Sequence, residues 1–517
     1  MSNLPLVTIG TGSVSIDNVV DVARLNARVL LDPSALTTVA ASRKIVEDLA
    51  SDPHPHYGIS TGFGALATTF IESDRRAQLQ ASLIRSHAAG SGPEIEREVV
   101  RALMLLRLST LMTGRTGVRP IVAETYAAML NTGVTPVVRE YGSLGCSGDL
   151  APLAHCALAS LGEGDVRDSS GVLMPAAQAL AAASITPLVL QEKEGLALIN
   201  GTDGMLGMLA LSLTDLSMLL TTADVAAAMS VEGLMGTDQV FAADLQALRP
   251  QVGQAVSASN IRAVLASSPI VQSHAGPDDG RVQDAYSLRC APQVHGGARD
   301  TVTHATMIAE RELASAVDNP VLTLDGRVES NGNFHGAPVA YVLDFLAIVA
   351  ADVASMSERR TDRFLDRARN QGLPPFLAHE VGVDSGLMIA QYTSAGLVSE
   401  MKRLAAPASV DSIPSSAMQE DHVSLGWHAG RKLRRSVDAL SRVLAIELMT
   451  ASRGIELRAP LDAGAVSAAV IAHLRAAGVQ GPGPDRFLSP EIEAASAAVL
   501  GGDVAHVARA ACASQLV

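Results

Sequence analysis

From about residue 150 the chain is built of long runs in which Ala, Leu, Val and Met recur at the spacing of a helix face. Short Gly, Pro or Ser breaks near 162–171, 250–280 and 325–337 separate these runs. No repeat on the scale of a solenoid unit is present, and no low-complexity linker divides the chain. The earlier residues are mixed. LVTIGTGSVS reads as a short extended pair leading into a helix over 17–28, with Ser15 as its cap. In SGPEIEREVVRALMLLRLSTLMTG, Ser91 ahead of Pro93 and Glu94 predicts a helix start and Gly114 its end. The expected fold is mainly α, with a smaller mixed α/β head over residues 1–200. Residues 201–517 are expected to form a long-helix bundle core and a C-terminal helical region.

Two of the apolar runs, 204–233 and 336–356, are long enough to raise the question of a membrane. Asp215, Asp224 and Glu232 interrupt the first, and Asp344 and Asp352 the second. A charge at a helix midpoint costs about 2.5–3.5 kcal/mol on insertion into lipid. Both are therefore read as core helices. Helices apolar nearly all round need neighbours on most sides, which an oligomer supplies.

Composition narrows the function classes. Among the 517 residues, 39 are Lys or Arg and 53 are Asp or Glu, a net charge of −14 that argues against nucleic acid or an anionic membrane surface as partner. Aromatic residues are only 3% while hydrophobic residues are 48%, so small aliphatic side chains must fill the core, which favours helices. The only lysines are Lys44, Lys193, Lys402 and Lys432, leaving few anchors for a pyridoxal cofactor, and none is expected. Cys146, Cys156, Cys290 and Cys512 form no C-x-x-C pair and suit a reducing cytosol. The first residues lack the basic start and apolar block of a secretory signal, so a cytoplasmic location is expected. His54 and His56 are broken up by prolines and have only Asp52 nearby, so no metal site is expected. The early GTG lacks the third glycine and following acid of a dinucleotide site and reads as a turn.

The stretch that carries chemistry is REYGSLGCSGDLAPLAH, residues 139–155. Three glycines and two serines crowd together before a helix that opens at Asp149, with Pro152 in its first turn. Gly and Ser make ordinary turns, and composition alone would go no further. Order adds something. In Cys146-Ser147-Gly148 the glycine amide can fold back onto the carbonyl carbon two residues earlier and close a five-membered ring. Loss of water from that ring, and of the Ser147 hydroxyl, leaves an exocyclic methylidene.

In this motif the chain resembles the aromatic amino acid ammonia-lyases, most closely those acting on histidine. Their 4-methylidene-imidazol-5-one (MIO) forms from Ala-Ser-Gly in the context GSxGASGDLAPLxH, and Cys146 stands here where Ala is usual. The cyclisation uses that residue's backbone carbonyl, so a small thiol side chain is compatible with it. The chemistry explains the need: the substrate's β-proton is weakly acidic, its α-ammonium leaves poorly, and no ordinary side chain is electrophilic. A helix start at the ring would favour the negative charge that develops there.

Further segments follow in family order. YGISTGFG (57–64) resembles YGxxTGFG, which makes Tyr57 the β-proton base; a free phenol titrates near pH ~10, so that role needs a lowered pKa. SHAAG (86–90) resembles the Ser-His pair of the histidine-specific members, and His87 could hydrogen-bond a substrate imidazole. Asn200 in EGLALINGT implies a contact to the substrate carboxylate or amine, with Asp203 where Gln is usual. VQDAYSLRCAPQVHG (282–296) resembles VQDxYSxRCxPQVxG, with Ala285 for a common Pro. Gln283, Tyr286 and Arg289 are spaced three apart, one face of a helical turn. The resemblance implies Gln283 on the MIO carbonyl, Tyr286 shuttling a proton on the amine, and Arg289 forking the substrate carboxylate. DNP (318–320) and NGNFHG (331–336) continue the match, with Asn331 where Gly is common; Phe334 lines the ring pocket or packs the core. SERR (357–360) is assigned to subunit packing. QEDHVSLG (419–426) carries Glu420, which could hold the imidazole N–H or serve as acid or base, and Met418 replaces a more common Asn.

The resemblance spans nearly the whole chain. It implies a fumarase/aspartase-like architecture and a homotetramer with active sites shared between subunits. The implied activity is non-oxidative deamination of L-histidine to trans-urocanate and ammonia, the first step of histidine degradation, with MIO and without metal or pyridoxal phosphate. An MIO enzyme for tyrosine or phenylalanine, or an aminomutase, is the alternative; Ser86-His87 and Glu420 argue against it. A non-catalytic scaffold would have lost the triad or Tyr57, and the substrate-loop signature of a fumarase is absent.

Overall fold

The two long apolar runs form helices Asp203–Gly233 and Ala337–Leu365, and the other long helices are Gly426–Glu456 and Ala291–Leu313. This architecture is that of a computed structural model of the chain, which describes residues 5–145, 147–266, 268–276 and 282–517. Every named strand lies within residues 6–175 or 321–329, and each sheet is two- or three-stranded. The fold is thus mainly helical with a small mixed α/β part.

Two local expectations are corrected. The N-terminal extended pair is not a hairpin within residues 5–14: Leu6–Ile9 pairs in parallel with Arg28–Leu31, and helix Ile16–Arg24 forms the crossover. Ser15 does cap that helix, accepting from Asn18 N at 3.1 Å while its own N–H donates to Asn18 Oδ1. Ser91–Glu94 is a strand, paired antiparallel with Arg139–Tyr141, and the helix starts only at Arg97. Gly92 sits at φ +91°, which no helix uses, so the chain cannot coil before it has left that pairing.

The chain divides into two compact units. The first gathers residues 1–211, 306–344 and 407–431. Its central helix, Arg97–Met112, is buried from Val99 to Met112 and packs against helices Ile16–Arg24, Pro33–Ala50, Pro120–Thr132 and Leu150–Ser160. Trp427, the only tryptophan, is fully buried in this unit, donating from Nε1 to the Glu140 carbonyl at 2.7 Å.

The second unit gathers residues 212–305, 345–406 and 432–517. Here the acids of the apolar run meet partners inside the protein. Asp215 pairs with Arg434 at 2.7 Å, and Asp224 accepts from Arg299, His295 and Asn260. Glu232 accepts from Ser268, Gly464 N and Ser467. A buried acid held this way is stable in protein and would be costly in lipid. Of the two membrane-length windows, 83% and 61% of residues are buried within the protein. Arg360 of the SERR segment, assigned from sequence to subunit packing, is engaged within the chain: it forks onto Glu447 at 2.5 and 2.9 Å, wholly buried.

Truncating Trp427 should therefore be severe. Trp427→Ala removes a large buried ring and is expected to cost about 3–5 kcal/mol. Trp427→Phe, which loses chiefly the indole hydrogen bond, should cost about 1–3 kcal/mol. Calorimetric melting of the two variants checks the order; equal midpoints would contradict it.

Candidate active site

The glycine-rich turn is held by backbone contact with a second segment. Gly148 bridges Gly201, and the next amide, Asp149 N, donates to the Gly201 carbonyl at 2.7 Å. Gly148 lies at φ +77°, and a Cβ there would fall inside the van der Waals shell of that carbonyl. No other residue fits. Cys146 lies outside the described residues.

Asp149 does more than precede helix Leu150–Ser160. Its carboxylate makes no cap bond; it turns inward, accepting from Ser143 Oγ and from Met205 N, both at 2.8 Å. One side chain thus ties the start of the turn to the first residues of helix Asp203–Gly233. Burial pushes its pKa up to about 7, against the opposing pull of the Met205 and Ser143 hydrogen bonds. The turn lies between two helix N-termini, whose free amides and dipoles favour negative charge.

Several of the expected site residues converge on this turn. Ser147 Oγ donates to Glu420 Oε1 at 3.1 Å. Ser415 Oγ holds Glu420 Oε2 at 2.8 Å, and the two residues pair as a backbone bridge. His87 ends helix Arg76–His87 with Nδ1 2.9 Å from the Leu83 carbonyl, which fixes the proton there and leaves Nε2 as an acceptor in the neutral ring. Burial lowers its pKa; the Leu83 carbonyl and the Glu420 charge act the other way. That helix packs against both Leu150–Ser160 and Glu194–Ile199, the helix that ends at Asn200. Asn200 is 3% exposed; its Nδ2 donates to the Asn319 carbonyl at 3.1 Å and its Oδ1 has no partner among the described residues.

Tyr57 and Phe334 come from two loops. The Tyr57 hydroxyl accepts from Gly64 N at 3.3 Å, and the turn Gly64–Leu66 packs against Ser416–Met418, just before Glu420. Phe334 is half-buried; the neighbouring His335 Nε2 lies 3.2 Å from His422 Nδ1, two residues past Glu420. The Gly145 carbonyl accepts from Ser424 Oγ at 2.8 Å and from Gly336 N at 3.3 Å, so the Phe334 loop and the segment that carries Glu420 are both fastened to the turn.

Gln283, Tyr286 and Arg289 belong to the second unit. The single-face expectation holds for only two of them. Tyr286–Arg289 is one helical turn in which the Arg289 guanidinium lies over the Tyr286 ring, 4.6 Å from its centroid. Gln283 precedes the turn, outside the helix, and lines a cavity of about 540 Å³ with His274, Asp284 and Thr237. Arg289 Nε is buried without a partner among the described residues. Of the loop 271–287, residues 277–281 lie outside the described residues.

Sequence reasoning missed the layer beneath Asn200. Arg107, fully buried, donates to the carbonyls of Asn200 at 2.6 Å, Ala197 at 3.0 Å and Val317 at 3.1 Å, and pairs with Asp203 at 3.0 Å. Lys193 pairs with Asp318 of the DNP motif at 2.5 Å, both fully buried. The signal was present: an arginine amid ALMLLRLSTLM has to be paired, and Asp203 stands where Gln is usual.

A model of the aromatic amino acid lyase family matches residues 14–476. The chain belongs to the aromatic amino acid lyase family. It is 63% identical over 502 residues to histidine ammonia-lyase of Streptomyces avermitilis, covering 97% of this chain and 98% of that one. Among solved structures, tyrosine aminomutase of Streptomyces globisporus superposes with a TM-score of 0.93 at 34% identity, covering 99% of this chain and 100% of that one. Histidine ammonia-lyase of Trypanosoma cruzi gives 0.89 at 35%, covering 98% and 95%. As a member of the aromatic amino acid lyase family the chain is a lyase, and its helical fold is of the fumarase/aspartase type.

Two outcomes follow for the turn. Gly148→Ala should separate the turn from Gly201 and lower the melting midpoint while abolishing turnover; a variant as stable and active as the parent would contradict the close contact. Asp149 holds its proton up to about pH 7 in the folded chain but releases it near the ordinary carboxylate value once unfolded. Its stabilisation is therefore complete at low pH and is lost as pH rises through about 7. The melting midpoint of the parent, measured against the non-titrating Asp149→Asn, should fall between about pH 4 and about pH 7 and level off above that. A constant difference would contradict it.

Proposed function

We propose that this chain is a histidine ammonia-lyase, converting L-histidine to trans-urocanate and ammonia as the first step of histidine degradation. The observation that carries the reading is the meeting of Glu420 with the Ser147 hydroxyl, with His87 close enough to feel the Glu420 charge. An imidazole with a free acceptor nitrogen and a carboxylate suit a substrate that is itself an imidazole. The 63% identity to a histidine ammonia-lyase over nearly the whole chain supports the same substrate. Those features also weigh against tyrosine as substrate, despite the likeness to a tyrosine aminomutase.

The residues present fit a group made from Cys146, Ser147 and Gly148. Gly148 is pressed against Gly201, where only glycine fits, and helix N-termini face the turn. When formed, MIO supplies an electrophilic methylidene for the substrate amine. The side chains do the rest. Arg289 binds the substrate carboxylate with its guanidinium fork. Asn200 Oδ1, buried and without a partner among the described residues, accepts from the ammonium. His87 Nε2 accepts the imidazole N–H, and Glu420 holds the far side of that ring. Phe334 covers the ring, Tyr57 takes the β-proton, Tyr286 moves the amine proton, and Gln283 hydrogen-bonds the MIO carbonyl.

The assembly is a homotetramer in which each site draws residues from more than one subunit. Tyr341, Phe345 and Ile348 support this: they are 43–50% exposed and fall on one face of helix Ala337–Leu365. The enzyme is assigned to the cytoplasm, with no membrane or nucleic-acid partner and no metal or pyridoxal phosphate.

Incubation with histidine, tyrosine and phenylalanine separately, watching for the conjugated acid, tests the substrate. Histidine alone should react; activity on tyrosine and not histidine sinks the assignment. Tyr57→Phe should lower kcat by about 100- to 10,000-fold with little change in histidine binding. His87→Ala should raise KM for histidine by about 2- to 10-fold, the value of one hydrogen bond.

A further inference from the structure

The Ser147 hydroxyl is the one that must leave for a methylidene to form, and Glu420 Oε1 accepts from it at 3.1 Å. The carboxyl is held for this contact. Its second oxygen is bound by Ser415 Oγ at 2.8 Å, and Ser415 N donates to the Glu420 carbonyl at 2.9 Å, so side chain and backbone share one anchor. That contact exists only before maturation: once the hydroxyl has left, Ser147 has nothing to donate. A positioned carboxyl on the oxygen of a departing hydroxyl is what elimination of water requires of a general acid.

We propose that Glu420 transfers the proton in the loss of water from Ser147, a role in making the electrophile that precedes any handling of substrate. It rests on the reading of Cys146-Ser147-Gly148 as the source of MIO. In the first condensation Gly148 N bonds the Cys146 carbonyl carbon. The displaced oxygen leaves as water with the protons of Gly148 N and Ser147 N, leaving a carbon–nitrogen double bond to Ser147 N. In the second, the Ser147 Cα proton departs to solvent and its electron pair forms the Cα–Cβ double bond. The Cβ–Oγ bond breaks, and Oγ leaves as water with a proton that the Glu420 carboxylate has first taken up from solvent, so that Glu420 ends as the carboxylate it began. Two waters are lost, and no oxidant or reductant takes part.

Intact-protein and peptide mass spectrometry on the full-length chain, with near-ultraviolet absorbance of the conjugated ring, tests this. The parent should be lighter by two waters. Glu420→Gln keeps the shape and an acceptor oxygen but removes the acid. It should stall one water lighter, cyclised with its hydroxyl intact, and complete the second loss about 100-fold more slowly, the low end of what a positioned proton donor contributes. A glutamine chain that matures like the parent, or that loses no water at all, overturns the proposal. A parent chain that loses no water overturns the underlying reading of the triad, and the proposal with it. Should Glu420→Gln fail to fold, Ser415→Ala decides: it keeps the carboxyl but frees it from its anchor. A slower second loss after translation is stopped supports the proposal; the parent rate overturns it.

Discussion

Two glycine backbones in contact hold the site together. Gly148 and Gly201 approach so closely that neither can carry a side chain: one would meet the other's carbonyl, and a Cβ on Gly201 would run into Arg107 and Asp203. Three residues of the site flank this contact directly. Ser147 precedes Gly148, Asp149 follows it, and Asn200 precedes Gly201. Sterics alone do not bring backbones together, because burying amides and carbonyls costs energy unless each finds a partner. The Asp149 amide on the Gly201 carbonyl answers this on one side, and Arg107 on the Asn200 carbonyl on the other.

The buried polar and ionisable groups around that contact act as fasteners. Asp149 reaches back to Ser143 and across to Met205, while Arg107 ties three carbonyls from two chain segments to Asp203. Lys193 and Asp318 form a further buried pair in the same unit. Such pairs contribute little net stability over a well-packed apolar core, yet removing one partner strands the other and costs about 3–5 kcal/mol. They specify one arrangement of the loops more than they add to stability. A site built on a turn needs that specification, since a reacting group displaced by about 1 Å can lose about 100-fold in rate.

How much of this was legible depended on whether the controlling physics is local. The long helices were plain from Ala, Leu and Met periodicity, and the acids inside 204–233 correctly signalled a protein interior. The parallel pairing of Leu6–Ile9 with Arg28–Leu31 was not readable, because a strand's partner is chosen by tertiary contact. The start of helix Arg97–Met112 was misplaced for the same reason: Ser91–Glu94 has capping chemistry, but its pairing with Arg139–Tyr141 prevails. Within the site, motif residues could be listed from sequence, but the Ser147–Glu420 contact, across 273 residues, could not. Gln283 shows the limit of spacing arguments: three apart means one face only where there is a helix, and the helix begins at Tyr286.

Asp203 shows how a departure from a family pattern is absorbed. Where Gln is usual, this chain carries a carboxylate that burial alone would drive toward its neutral form. It pairs with the equally buried Arg107, whose guanidinium is aimed at the Asn200 carbonyl. The charge is thus balanced beneath the site, and the terminal nitrogens of Arg107 also hold the backbone carbonyls of Ala197, Asn200 and Val317. Asn200 is held from below through its carbonyl and from the side through its Nδ2. Its Oδ1 oxygen has no hydrogen-bond partner among the described residues. A substitution that looks like a break in the motif thereby leaves the Asn200 amide firmly constrained.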